Sequence, residues 1–286
     1  MTNSNIGDKN HLISEPNLDR GLSGLGSTGI SANKFEWFVI FAVAVAVIGG
    51  AEIFLRIFQV PAYVFPTPSE IAHSFVFNFH EVAPHLRDTL IQLAIGYTIG
   101  ASIGLILAGF ITQFPFGEKI ITPYILLLVT TPTLALVPLL ILNFGFGYTP
   151  RVIAIALAAG PIVMINATTG FRRTDSNKIA LATVYGANTL QIFMKIRVAM
   201  AMPMIIVGLM MGAIFSVITC IGAEMSGGGF GLGSRLTTYS STLRTDDFFA
   251  VILILAILGI LIYSFFTWHL CYWSSKKFTT NTKGMD

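Results

Sequence analysis

The stretch VAMAMPMIIVGLMMGAIFSVITCIGA, residues 198–223, holds no charged side chain, and its reading decides the fold. A helix rises about 1.5 Å per residue, so some 20 apolar residues cross a hydrocarbon core of about 30 Å while satisfying every backbone group internally. Working outward, comparable charge-free runs occupy residues 152–171, 120–150, 89–117 and about 248–268. A sixth, 37–51, reaches spanning length by continuing to Leu55 across Glu52, whose carboxylate then lies near one interface. The sequence therefore predicts an all-α polytopic membrane protein. Six transmembrane helices form one domain over 35–275, between a disordered polar tail at 1–34 and a second tail at 276–286.

Composition agrees. Hydrophobic residues make up 54% of the 286 and charged ones only 11%, against about 25% charged in a soluble globular chain, and the mean hydropathy is +0.75. A soluble enzyme, a disordered chain, a collagen-like fibre and a disulfide scaffold are all excluded by these values. Net charge is only +3 and the basic residues are dispersed along membrane flanks, which argues against nucleic-acid binding. Cys220 and Cys271 fall near opposite faces of the bilayer in this topology, too far apart to bridge.

Lys and Arg set the orientation, because cytoplasmic loops hold their excess. With the amino terminus inside, the inner segments contain Lys9, Arg20, Lys34, Lys119, Arg172, Arg173, Lys178, Lys195, Arg197, Lys276, Lys277 and Lys283, and the outer ones only Arg56, Arg87, Arg151, Arg235 and Arg244. Both termini are thus placed in the cytoplasm. On the outer side, Pro61, Pro66 and Pro68 break the chain before a short helix at 70–79 that Ser69 is expected to cap, with Ile71, Phe75 and Phe79 on one face resting at the membrane surface.

No catalytic constellation emerges. His73, His80 and His85 lack the spacing of a helix-borne zinc pair, so no metal site is expected. The glycine run at 227–233 lacks the Gly-Lys-Ser/Thr ending of a phosphate loop and reads as a hinge or a close backbone approach. The spans carry uncharged polarity and helix breakers instead: Thr130, Thr131, Pro132, Thr133 and Pro138, then Asn166, Thr168 and Thr169, then Ser216 and Thr219. Each taken singly fits interhelical packing. Their concentration marks Thr130, Thr131, Thr133, Asn166, Ser216 and Thr219 as the candidate lining of a translocation path. The spans offer no deeply placed Lys or Arg and no acid at mid-membrane, which points away from an ion-driven carrier and predicts transit without a tight binding site. A self-contained secondary transporter or channel is the alternative reading.

The inner connection at about 172–197 is the most specific segment. Its helical pattern runs to Tyr185, breaks at Gly186 and resumes at Ala187, with Leu190, Phe193 and Met194 on one face. These residues resemble the cytoplasmic motif of the membrane subunits of binding-protein-dependent ATP-binding-cassette (ABC) importers: Gly186 falls on the motif glycine, Ile196 and Val198 on its Ile-x-Leu, and Pro203 on a second proline. Ala180 stands where that motif has glutamate and Ala199 where it has its first proline. Pro66-Thr-Pro-Ser-Glu-Ile71, the stretch from Thr131 to Gly147, and Glu224 followed by Gly231-Leu-Gly233 are similar to segments of the sulfonate, taurine and nitrate branch, so the likeness covers about 35–278.

The resemblance implies a type I importer permease whose coupling helix, carrying Ala182, Tyr185, Gly186, Ala187, Asn188 and Leu190, docks on two separate cytoplasmic ATPase subunits. Those subunits would bind ATP and Mg, with no cofactor on this chain. It further implies a second permease copy as a homodimer partner, an external solute-binding protein and a small organic or inorganic anion as solute, in the inner membrane.

Overall fold

A computed structural model describes the backbone of residues 34–282, and side chains from Phe38 to His269 apart from Pro115. The two tails called at 1–34 and 276–286 lie outside the described side chains, as does Cys271. Residues up to Phe54 and those from Leu55 onward are separate packing units.

The first unit holds the apolar helix α1 (Lys34–Ile57) as far as Phe54, and that helix continues across Glu52 to its end. The second holds ten further α-helices: α2 (Pro68–Phe77), α3 (Phe79–Gln113), α4 (Pro115–Thr130), α5 (Thr133–Phe144), α6 (Tyr148–Arg172), α7 (Ser176–Val184), α8 (Thr189–Ile192), α9 (Val198–Gly227), α10 (Leu232–Ser241) and α11 (Thr245–Thr282). No strand occurs among the described residues. Five helices, α1, α3, α6, α9 with its lead-in, and α11, are long and apolar enough to cross a membrane by themselves.

The predicted third span is not one rod. It breaks into α4 and α5, bent by 95°. Pro132 forces the preceding Thr131 into extended backbone and cannot donate to the ladder. Hydroxyls back-bond to the last turn of α4: Thr130 Oγ1 donates to Leu126 O (3.0 Å) and Thr131 Oγ1 to Leu127 O (2.7 Å), a carbonyl that also accepts from the Thr131 amide. The cap of α2 also differs from the expected Ser69. Thr67 accepts from the Glu70 amide while the Glu70 carboxylate accepts from the Thr67 amide, and Pro68 fills the first helical position, where its missing N–H costs nothing.

α6 is the axis of the second unit, packed along α3 on one side and α9 on the other. Contact with α3 runs through Gly96, Gly100 and Gly104, one every four residues, which lay that helix directly on the backbone of α6 near Val152, Ala156 and Gly160. Apolar clusters sit at both ends. Ala108, Ile111, Met164, Phe171 and Ala201 pack at one, and Val82, Leu232, Leu236, Tyr239 and Val251 at the other.

Candidate functional site

Three regions of the second unit carry polar chemistry. The first is the loop after α6. Asp175 caps α7 by accepting from the Asn177 amide, Tyr185 ends that helix, and Gly186 turns the chain at φ +78°. Asn188 then starts α8 with a capping box to Gln191. The second helix thus begins at Thr189, two residues later than the sequence pattern indicates, because Asn188 supplies a better cap than continued helix would. A β-carbon at Gly186 would meet nothing within 4 Å, so the glycine is required by its left-handed backbone and not by crowding. The tip carries apolar side chains in the open: Val184 is 85%, Tyr185 83%, Leu190 69% and Leu181 58% exposed. Ala182 and Ala187 are half-buried and Asn188 is exposed. A π-helical turn, Phe193–Arg197, joins this loop to α9 and packs the Phe193 ring at a tilt against Phe171.

The second region is a cavity of about 490 Å³ at the break between α4 and α5. Thr131, Pro132, Thr133, Asn166, Met211 and Phe215 are among its lining. The structure thus brings together three of the six polar residues singled out as path lining. Of the others, Thr130 is exposed with its hydroxyl bonded to its own helix, and Ser216 and Thr219 are buried within the bundle, Ser216 donating to Gly212 O.

The third region lies at the opposite end from the loop. Arg151, counted above with the outer connections, is 1% exposed inside α6, and Glu224 is fully buried near the end of α9. Arg151 lies in the first turn of α6, so it is buried by protein at the end of the bundle and not at the middle of a span. Arg151 is nevertheless occupied: Nη1 donates to Phe230 O (3.0 Å), Nη2 to Gly228 O (2.6 Å), and its guanidinium lies 4.0 Å from the Phe230 ring centre. Glu224 accepts from Thr89 Oγ1 (2.7 Å), Gln92 Nε2 (3.2 Å) and the Gly233 amide (2.8 Å). The glycine run is a close approach: a β-carbon on Gly231 would run into the Glu224 carboxylate, and one on Gly233 into Ile221 O.

Nearby, Asp247 accepts from Ser74, Asn78 and Arg244, pinning α2 to the start of α11. α2 is thus held by a buried carboxylate as well as by its apolar face. Burial pushes the Tyr239 phenol above its usual range, and the carboxylates of Asp247 and Glu81 add to that.

Sequence reading missed Arg151, Thr89, Gln92 and His85 as partners of the glycine run. The available signal was charge at the ends of apolar runs, Arg151 directly after Pro150 and Glu224 directly after Ala223, both at the end of the bundle where the glycines lie. Among the described residues no group of three or more His, Cys, Asp or Glu side chains is placed to hold a metal.

Long apolar helices around a break that opens a partly polar cavity, with an exposed apolar-tipped loop at one end, define an integral-membrane transport subunit. The family described as binding-protein-dependent transport system inner membrane component matches residues 96–270, and the chain belongs to it, as a multi-pass inner-membrane permease of the ABC importer class rather than an enzyme. The chain is 33% identical over 224 residues to a putative aliphatic sulfonates transport permease protein, SsuC, of Bacillus subtilis, covering 77% of this chain and 78% of that one. It is 28% identical over 178 residues to the taurine transport system permease protein TauC of Escherichia coli, covering 62% and 65%. The riboflavin transport system permease protein RibX of Chloroflexus aurantiacus is 25% identical, with 71% and 76% covered. Among solved structures, an amino acid ABC transporter has the same fold with a TM-score of 0.56 at 19% identity, covering 71% of this chain and 97% of that one. The inward-facing MetNI methionine ABC transporter gives 0.54 at 18%, covering 67% and 94%.

Proposed function

We propose that this subunit provides the path for a small solute and is driven by separate ATPase subunits that grip the loop around Gly186. The observation that carries the reading is the exposed apolar tip formed by Leu181, Val184, Tyr185 and Leu190. Four large apolar groups held in water gain free energy on being covered, and an exposed patch of this kind on a polar, basic loop fits a protein contact. The loop lies at the end of the bundle that holds Lys119, Arg172, Arg173, Lys178, Lys195 and Arg197, which supports placing that end, and both termini, in the cytoplasm. Two ATPase subunits, which bind ATP and Mg, then face two copies of this chain. Their closure moves the bundles as rigid bodies and switches the cavity at the α4/α5 break between the two sides.

Thr131, Thr133 and Asn166 serve as the polar surface of the path, hydroxyls and an amide that solvate a passing solute without holding it. Arg151 is engaged with backbone carbonyls and is not offered to that path. Selectivity therefore resides in an external solute-binding protein. Similarity to the aliphatic sulfonates and taurine permeases favours a small organic or inorganic anion, such as a sulfonate, taurine or nitrate, as the solute.

The test is Gly186→Arg. A side chain at φ +78° costs roughly 1–2 kcal/mol in a turn with room for it, so the chain still inserts. The guanidinium projects from the docking surface, and the co-expressed ATPase is expected to be lost on purification. Stoichiometric ATPase retained by the variant would overturn the reading.

A further inference from the structure

The N-terminus of α10 is capped entirely by residues from other helices. Its N-cap is Gly231, which has no side chain to offer. Three successive amides are nevertheless satisfied: Gly231 N donates to His85 Nδ1 (3.2 Å), Leu232 N to Thr89 Oγ1 (2.9 Å) and Gly233 N to Glu224 Oε2 (2.8 Å). Thr89 is a relay, accepting from Leu232 N while its own hydroxyl donates to Glu224 Oε1. On the other side of the loop Arg151 takes the carbonyls of Gly228 and Phe230. Donors and acceptors of one short segment are thus divided between α3, α6 and α9. A carboxylate also sits where the α10 dipole favours negative charge.

The geometry points to His85, Thr89, Glu224 and Arg151 as positioning residues that lock the segment 228–241 onto α3, α6 and α9 as a fixed lid over this end of the bundle. Arg151 has both of its carbonyl acceptors in this segment and Glu224 has one of its three donors there, so lifting the lid would strip the buried guanidinium of those acceptors and Glu224 of the Gly233 amide. Of the glycines, Gly228 and Gly229 turn the chain in open space, whereas Gly231 and Gly233 are points of close approach. They allow the backbone to come within hydrogen-bonding reach of the two ions, and Gly231, at φ +92°, has no space for a β-carbon. The lid therefore travels with the core when the transporter switches sides, and solute passes by movement of whole bundles. This last step rests on the ATPase-driven reading above; the lock itself does not.

Hydrogen–deuterium exchange on the full chain in lipid nanodiscs, without any ATPase, tests the lock directly. In the wild type, amides 231–236 are expected to exchange at least 100-fold more slowly than those of the exposed turn at 242–244. Thr89→Val, which removes the relay, is expected to raise exchange across 231–241 by tenfold or more while amides of α6 stay unchanged, and Thr89→Ser restores protection. Rapid wild-type exchange at 231–236, or a Thr89→Val profile equal to wild type or raised uniformly over all helices, would overturn the lock. With the ATPase and binding protein added, Thr89→Val is expected to keep nucleotide hydrolysis but lose its stimulation by solute-loaded binding protein. If no ATPase associates with the wild type, the functional reading fails while the exchange result stands.

Discussion

Gly100 of α3 lies so close to Ala156 of α6 that a β-carbon on it would stand 2.5 Å from the Ala156 carbonyl oxygen. The helices meet backbone to backbone, with Gly96 and Gly104 extending the contact by one turn each way. Bulk inserted there must part the two helices. We expect Gly100→Val to destabilise the chain by at least about 1–3 kcal/mol, the usual cost of overpacking, read as a lower melting temperature in detergent. Gly259→Ala on α11, where a β-carbon meets nothing within 4 Å, is the control; helix propensity makes it neutral or stabilising by up to about 1 kcal/mol.

Asp247 gathers three donors, Ser74 on α2, Asn78 between α2 and α3 and Arg244 in the turn before α11, and its removal leaves Ser74, itself 2% exposed, without an acceptor. Asp247→Ala is expected to cost about 1–3 kcal/mol, the range for leaving a buried polar group unsatisfied, since Arg244 itself is half-exposed. Glu81→Ala deletes only the longer, half-exposed contact to Arg244 (3.4 Å) and is expected to cost under about 1 kcal/mol. Chemical denaturation of the two variants in the same detergent checks the ranking.

Cys220 is fully buried, with its thiol near Glu224 Oε1 (3.8 Å) and Thr89 O (4.0 Å). In a Cys271→Ser background it is expected to resist maleimide labelling in the folded chain and to react within minutes after denaturation. Mass spectrometry of the intact protein measures the difference.

The cavity makes its own prediction. Asn166→Leu removes the amide from the lining while keeping the branched shape in a somewhat larger side chain. Solute uptake by the assembled transporter is expected to fall roughly tenfold, equivalent to about 1.4 kcal/mol on the barrier, with ATPase co-purification unchanged. Equal losses in both would assign Asn166 to packing against Gly208, whose β-carbon position lies 2.7 Å from the Asn166 Cβ.

Much of this architecture is legible in the sequence because the bilayer constrains it so strongly. A charge-free run such as 198–223 has few ways to exist other than as a spanning helix. The turn at Gly186 is legible for a local reason, since glycine between two helical patterns signals a left-handed residue. What was not legible is tertiary. Thr131-Pro132 announces a break, but whether a proline kinks a helix or turns it through 95° depends on what packs beyond, here α5 against α6 and α9 through Val137, Ala154 and Ala223. Arg151 and Glu224 stand 73 residues apart in the chain and share the glycine loop only after folding, so neither periodicity nor local motif could pair them. Likewise Thr67 rather than Ser69 caps α2, a choice decided by which residue has Glu70 three positions ahead.

The most direct test of the central claim is photocrosslinking from the loop tip. Tyr185→Cys and Leu190→Cys, each labelled with benzophenone maleimide in membranes that also contain the co-expressed ATPase, should each give an adduct to an ATP-binding subunit. Phe146→Cys, exposed between α5 and α6 at the end of the bundle away from the loop, should give none. Adducts absent from 185 and 190, or equally abundant from 146, would contradict the account.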